Sequence, residues 1–293
     1  MSQLYTPNSL EKGLKVKFLE YFASQESIAP QIAYVEKSDS DSEGYDWLGA
    51  SPAMSELIGE RQITPLANRK YTLVNRTFTS TIAVSRNDLA DNKSGSINRR
   101  ISQLSAAAAN HPNKLIIDAL VAGTSDACYD GVALFHDAHP ALGDEGGTQD
   151  NLLAGAGVTA AQVAADFAST KAALLKFKDT SGELFSNTGG MSLAIVCPPD
   201  LEKVFREVLN ATIISNTSNV QVGAASLIVS PRLTDANDWY MLRTDSARAL
   251  ILQEREAVEF SALESGSDAS FLRDQYYFGC RSRMAAGAGF WQA

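Results

Sequence analysis

Cysteine is scarce and scattered in this chain. Cys128, Cys197 and Cys280 are an odd number with no CxxC pair among them, which argues against a disulfide framework or a paired-thiolate zinc module and points to a reducing cytosol. Positive charge is the minority sign: 25 Lys and Arg stand against 34 Asp and Glu, a formal net charge of -9. Gripping nucleic acid requires clustered cations that neutralise phosphates, so a nucleic-acid-wrapping surface is not expected. Long apolar runs are missing as well. No stretch approaches the roughly 18 residues a membrane-spanning helix needs. The opening MSQLYTPNSLEKGLKVKFLEYF lacks an apolar core followed by a small-residue cleavage site, so a soluble, non-exported protein is expected.

Catalytic signatures are equally thin. There is no G-x-S-x-G nucleophile elbow, and no cysteine sits in a catalytic signature. Gly155 and Gly157 in LLAGAGVT form neither a Walker loop nor a dinucleotide fingerprint, and read as a turn. The acidic run from Asp126 to Asp150 lacks EF-hand spacing and reads as a solvated loop. Cys128, Asp130, His136, Asp137 and His139 are the one cluster that resembles a site. His-Asp-x-His places two imidazoles near each other, but without a helical i, i+4 pair or a closed set of four ligands; local hydrogen bonding and turn formation is the favoured reading. No catalytic, cofactor or metal-binding residue is assigned, and the chain is not read as an enzyme.

What is present is ordinary globular composition, 45% apolar and 20% charged, over a length that supports a large core. The strongest helical segment is Asp91 to Gly123. Ile97, Ile101, Leu104 and Ala108 recur at steps of four, three and four, and Leu115, Ile116, Ala119 and Leu120 follow after His111-Pro112. The first set shares one helix face. Proline predicts a kink or short break at residue 112, and Gly123 is placed for a left-handed cap.

Before this girder, Leu10, Leu14, Phe18 and Phe22 lie four apart on an amphipathic helix. An apolar stripe says only that something covers it, so it docks on its own subunit or on a neighbour. Ile32 to Glu36 reads as a strand, and GYDWLG at 44–49 as another, with Tyr45 and Trp47 on one side. After the stretch carrying Met54, Leu57 and Ile58, KYTLVNRTFTSTIAVSR at 70–86 is the clearest strand signal. A strand out, a tip and a long return strand make an extended arm, whose apolar tip a lone hairpin cannot bury. Leu14, Phe18, Trp47, Met54, Leu57 and Ile58 are therefore candidate contacts with a neighbouring subunit.

Downstream, Thr159 caps a helix over Val158 to Lys178 with Val163, Phe167, Leu174 and Leu175 on one side. MSLAIVC at 191–197 reads as a buried strand, and Pro198-Pro199 lead into another helix. With strands at Ser226 to Ser230, Trp239 to Leu242 and Ala249 to Leu252, residues 150–252 form a compact α+β module. Val258 to Glu264 and the stretch after the turn SGSDAS supply two or three final strands.

Arm, long hairpin, long helix, α+β module and returning strands is the order of the tailed-phage major capsid fold of the Hong Kong 97 type. YDWLG at 45–49, TFTSTIAVSRNDL at 77–89, CYDGVALF at 128–135 with HP at 139–140, and RMAAGAGFWQ at 283–292 resemble the Mu-like major head subunit (gpT) family. The resemblance implies an α+β shell subunit with an N-terminal arm at 1–43 and an extended loop at 44–85. It further implies a peripheral domain with its spine helix at 86–135, an axial domain at 136–252, and peripheral strands and loop at 253–293. It adds Lys70 in the extended loop, and Ser267 and Asp268 in a peripheral loop at 265–270, as contact candidates. Lys70 has no identifiable Asn and acid partner, so it gives no evidence of a covalent weld.

The same resemblance implies hexamers and pentamers of an icosahedral head holding double-stranded DNA. The implied partners are further copies of the chain, a separate scaffolding protein, a portal and, where one is used, a decoration protein, with no membrane. Because the chain starts almost at the arm, no fused scaffold is expected. The implied location is the virion, after assembly in the bacterial host cytoplasm. An encapsulin-like compartment and, in a different class, a cytosolic metal-dependent hydrolase are the alternatives.

Overall fold

The structure is a computed structural model that describes residues 7–49, 71–91, 94–140, 147–179, 182–186, 190–214, 217–263 and 272–293. In chain order the elements are α1 (Pro7–Ala23), α2 (Ala29–Ile32), β1 (Ala33–Lys37), β2 (Ser42–Gly44), β3 (Thr72–Val74), β4 (Arg76–Ser85), α3 (Arg86–Ala90) and α4 (Ser94–Ala122). They continue with β5 (His139–Pro140), β6 (Thr148–Gln149), α5 (Ala160–Leu174), β7 (Leu193–Cys197), α6 (Pro199–Asn210), β8 (Ile213–Ile214) and β9 (Thr217–Ser218). The last are β10 (Ser226–Val229), β11 (Tyr240–Arg243), β12 (Leu250–Leu263) and β13 (Gln275–Ala288).

Helix α4 is the girder, and it is uninterrupted: Pro112 lies inside it, so the expected break does not occur. At 1.5 Å per residue it is about 44 Å long, enough to serve two separate cores. Its first half sets Ile97, Ile101, Leu104 and Ala108 against Leu14 and Phe18 of α1, Val84 of β4, and Phe278 and Cys280 of β13. Its second half gives Ile116, Ile117 and Leu120 to the larger core of the α/β module. Gly123 is not left-handed; a Cβ there would stand 2.9 Å from the Leu120 carbonyl and the Phe135 ring. Close approach, not backbone angle, favours glycine at this helix end.

The main sheet has the order β1-β12-β13-β4, with β1 parallel to β12 and the other pairs antiparallel. Two strands expected over 249–264 are one, β12, because its polar middle stays paired with β13 through register shifts around Glu256. A bulge of this kind leaves a strand continuous while bending it. The long strand expected over 70–86 divides at Asn75. Its amide donates to Ser38 Oγ at 2.8 Å and to the Ser40 carbonyl at 2.9 Å, while its N–H donates to the Asp41 carbonyl. The chain changes partner there: β3 pairs with β2, and β4 with β13.

The smaller sheet, β10-β7-β11, carries the fully buried LAIVC run in its centre. A central strand covered on both faces reads as continuous apolar sequence. Thr159 forms a capping box with Gln162 at the start of α5. Pro199 occupies the first turn of α6, where a missing N–H removes no helical bond.

Candidate assembly interface

The base of the segment expected to form the extended loop is described, while residues 50–70 lie outside the described residues. β2 and β3 pair from Ser42↔Val74 to Gly44↔Thr72, and the Tyr45 N–H donates to the Tyr71 carbonyl at 2.7 Å. Beyond this last rung Asp46–Gly49 turns into a 3-10 helix instead of the expected strand. That turn buries Leu48 while Trp47 stays 41% exposed. Trp47 stands edge-on to Tyr34 and Phe290, ring centroids 5.6 and 5.4 Å away.

The stem is bolted to the main sheet. The Tyr45 hydroxyl donates to Gln253 Oε1 at 2.9 Å, and the Ala288 N–H donates to the Tyr71 hydroxyl at 2.8 Å. Burial pushes the Tyr71 phenol up to about 12 and raises Tyr45 as well. A Cβ on Gly287 would collide with Leu73 and Tyr71, so the small-residue run at the end of β13 is the seat of the stem. Beside it Arg283 bridges Asp41 at 2.9 Å and Glu256 at 3.5 Å, and Arg281 pairs with the other Glu256 oxygen.

The histidine cluster is a lock between the 128–139 loop and the C-terminal tail. His139 Nδ1 lies 2.6 Å from Asp130 Oδ2, and its Nε2 is 3.2 Å from the Leu134 carbonyl and 3.1 Å from Asn151 Oδ1. Its ring stacks on Trp291 at 4.1 Å and 7°. The Tyr129 hydroxyl donates to Gln292 Oε1 at 2.8 Å, and the Asn151 amide donates to the Trp291 carbonyl at 3.0 Å. Both imidazole nitrogens of His139 thus face protein partners, which is the local hydrogen-bonding reading. Burial raises the Cys128 thiol to about 12 and Cys197 to about 11, the opposite of what an activated nucleophile needs. Among the described residues no group of His, Cys, Asp and Glu is arranged to hold a metal ion, and no helix is long and apolar enough to cross a membrane.

The contact candidates separate into three sets. Leu14 and Phe18, 4% and 1% exposed, are covered by the subunit's own core. The α1 stripe docks at home, anchored by the Ser105 hydroxyl donating to the Phe18 carbonyl at 2.8 Å; this corrects their assignment to a neighbour. What α1 leaves open is Val16, Leu19 and Tyr21. Trp47 remains half-exposed at the stem. Met54, Leu57, Ile58, Lys70, Ser267 and Asp268, with the rest of 265–270, lie outside the described residues.

Sequence reasoning missed the anchoring polar residues. Besides Asn75 and Asn151, Asn113 Oδ1 accepts from Ser27 Oγ and from the Ile28 N–H, both at 3.0 Å, fixing the segment after α1 to α4. An asparagine inside an otherwise apolar strand or helix pattern is the signal that was available, since such a residue belongs there only if its amide is used.

A fold with a stemmed hairpin, a girder helix and two cores defines the shell-forming subunit class of tailed-phage capsids, of the Hong Kong 97 type. The profile of the family described as Mu-like prophage major head subunit gpT matches residues 8–162 and 234–293. The chain belongs to that family. The Mu-like prophage FluMu major head subunit of Haemophilus influenzae is 27% identical over 293 residues, covering 98% of this chain and 72% of that protein. The major capsid protein of Escherichia phage Mu is 26% identical, covering 99% of this chain and 73% of its own length. Among solved structures, a chain of the bacteriophage JBD30 procapsid superposes with a TM-score of 0.56 at 25% identity, covering 98% of this chain and 73% of that one.

Proposed function

We propose that this chain is the major capsid protein of a phage or prophage head, assembling as hexamers and pentamers into an icosahedral shell around double-stranded DNA. Membership of the head-subunit family carries the reading. The architecture supports it: the β2–β3 pair is tied to the main sheet by Tyr45, Tyr71 and Gln253, at the base of the segment read as the extended loop. The function is structural, not catalytic, in keeping with the raised Cys128 and Cys197 thiols. A net charge of -9 suits contents that must move past the shell without sticking.

The domain reading goes with this function. Residues 1–43 act as the arm, 44–85 as the extended loop, 86–135 and 253–293 as the peripheral domain, and 136–252 as the axial domain. The exposed Trp47, with Met54, Leu57, Ile58, Lys70, Ser267 and Asp268, serves contacts between subunits. Scaffold, portal and decoration proteins are the further partners, the site of action is the virion, and assembly takes place in the host cytoplasm.

Sizing chromatography of the purified chain, with negative-stain imaging of the void fraction, tests this directly. Closed shells of megadalton mass are expected. A stable monomer under all assembly conditions overturns the reading, and protein cargo in place of DNA inside particles from infected or induced cells points to an encapsulin-like compartment.

A further inference from the structure

A cavity of about 430 Å³ opens between the segment 151–158, α5, the loop 237–241 and the C-terminal tail. Its wall carries the aromatic rings of Phe135, Phe177, Trp239, Tyr240 and Trp291. Phe135 lies 5.1 Å from Tyr240, and Phe177 5.4 Å from Trp291, centroid to centroid. A concave space of this size, largely apolar with a few polar groups, has the form of a small-molecule site.

The walls are held in place. The Asn151 amide donates to the Leu134 and Trp291 carbonyls at 2.8 and 3.0 Å, which fixes the start of the segment. Farther along, the Ala156 N–H donates to Asp166 Oδ2 at 2.8 Å, and the Gln162 side-chain amide donates to the Ala156 carbonyl at 3.0 Å. Gly157, at φ +146, leaves no room for a Cβ against Gln162. A pre-formed cavity pays little ordering entropy when it is filled.

The charge on the wall has one sign. Asp166 from α5 and Asp238 from the loop both line the cavity, and Asp235 adds to the field at Asp238. Among the described residues that line it, none is Lys, Arg or His. Low-dielectric aromatic walls concentrate such a field, which repels anions and attracts cations. A bare metal ion would make no use of the rings, and a neutral apolar molecule would make none of the carboxylates. An ammonium on a hydrocarbon chain uses both, because the charge is drawn to carboxylates and ring faces while methylene groups cover apolar surface. We propose that this cavity binds an alkylammonium group, with Asp166 and Asp238 meeting the charge and the rings covering its methylene chain. Such a group comes from a free aliphatic diamine or polyamine, or from the lysine side chain of another protein.

Titration with cadaverine at constant ionic strength tests it, by calorimetry on the unaltered chain and by the fluorescence of Trp239 and Trp291 in a Trp47→Phe background. Saturable binding is expected. It should weaken about tenfold in Asp238→Asn, and likewise in Ser169→Lys, which plants a competing ammonium on the cavity wall. Glu207→Gln removes a charge from α6, outside the cavity, and should bind as the parent does. Asp238, Ser169 and Glu207 are exposed, so these variants are expected to keep the parent circular dichroism. Nα-acetyl-lysine methylamide separates the two sources: tighter binding of cadaverine assigns a free amine, and tighter binding of the capped lysine assigns a side chain of another protein. No saturation by either probe, or equal binding by Asp238→Asn and Glu207→Gln, overturns the site.

Discussion

His111 is the residue with the clearest response to pH. It lies inside α4 one position before Pro112, its ring 4.2 Å from that of Phe78 on β4, and its Nε2 is buried with no hydrogen-bond partner among the described residues. Burial first, and then the nearby Lys114, hold its pKa below the ordinary 6.5; Asp118 opposes them and Arg232 adds to them. The unfolded chain therefore takes up a proton at a pH where the folded chain does not. The contribution to stability is intact above the unfolded value and lost as pH falls through and below about 6.5. Urea unfolding of the subunit from pH 8 to 5 is expected to show a midpoint falling on the acid side. His111→Phe, which keeps the contact with Phe78, should fall less. Equal slopes in the two proteins would show that another group governs the response.

At the scale of elements, the joint between the hairpin stem and β13 is the contact with least tolerance. Gly287 faces the ends of the Leu73 and Tyr71 side chains with no room for a Cβ, so Gly287→Val must displace the two side chains that seat the stem. Overpacking of this kind costs about 1–3 kcal/mol. It should also break the bond from the Ala288 N–H to the Tyr71 hydroxyl. A lowered thermal midpoint with faster amide exchange at residue 288 is the expected signature; an unchanged midpoint would mean that the stem shifts freely.

Elements were legible where period and composition agreed. The α4 face, the return strand β4, the Thr159 cap and the buried β7 all follow from spacing or from β-branched content. The junctions were not legible. Nothing in QEREA at 253–257 says that a strand continues through it, because only the ladder to β13 holds it extended. The α1 stripe announced a cover but not whose, and the answer lies in Ile101, Leu104 and Phe278, far away in sequence. The four stretches that resemble the gpT family are one contact network. Trp47 meets Phe290, Tyr129 meets Gln292, His139 stacks on Trp291, and β4 pairs with β13.

For the whole molecule, subunit folding and shell building are expected to be separable. Both cores draw their described members from segments on either side of 50–70, and Tyr45 is bonded to Tyr71 across the base of that segment. Deletion of residues 50–62, which lie outside the described residues, is expected to leave a subunit with wild-type circular dichroism and a cooperative unfolding transition. That subunit should form no closed particles. Normal-sized shells from the deletion, seen by electron microscopy, would falsify the role of the hairpin as a clamp between subunits. The candidate interface was legible in part: Met54, Leu57 and Ile58 stood out in the sequence, while the seat of the stem on Gln253 and Gly287 did not, because those residues lie far away along the chain.

The proline within α4 has a mechanical consequence. Ala108 belongs to one core and Ile116 to the other. Between them Pro112 withholds the N–H that would bond the Ala108 carbonyl. The girder is thus a beam clamped at both ends with its weakest turn at mid-span. Torque applied to one lobe will be transmitted whole until that turn yields, and the flexing will fall there instead of inside either core.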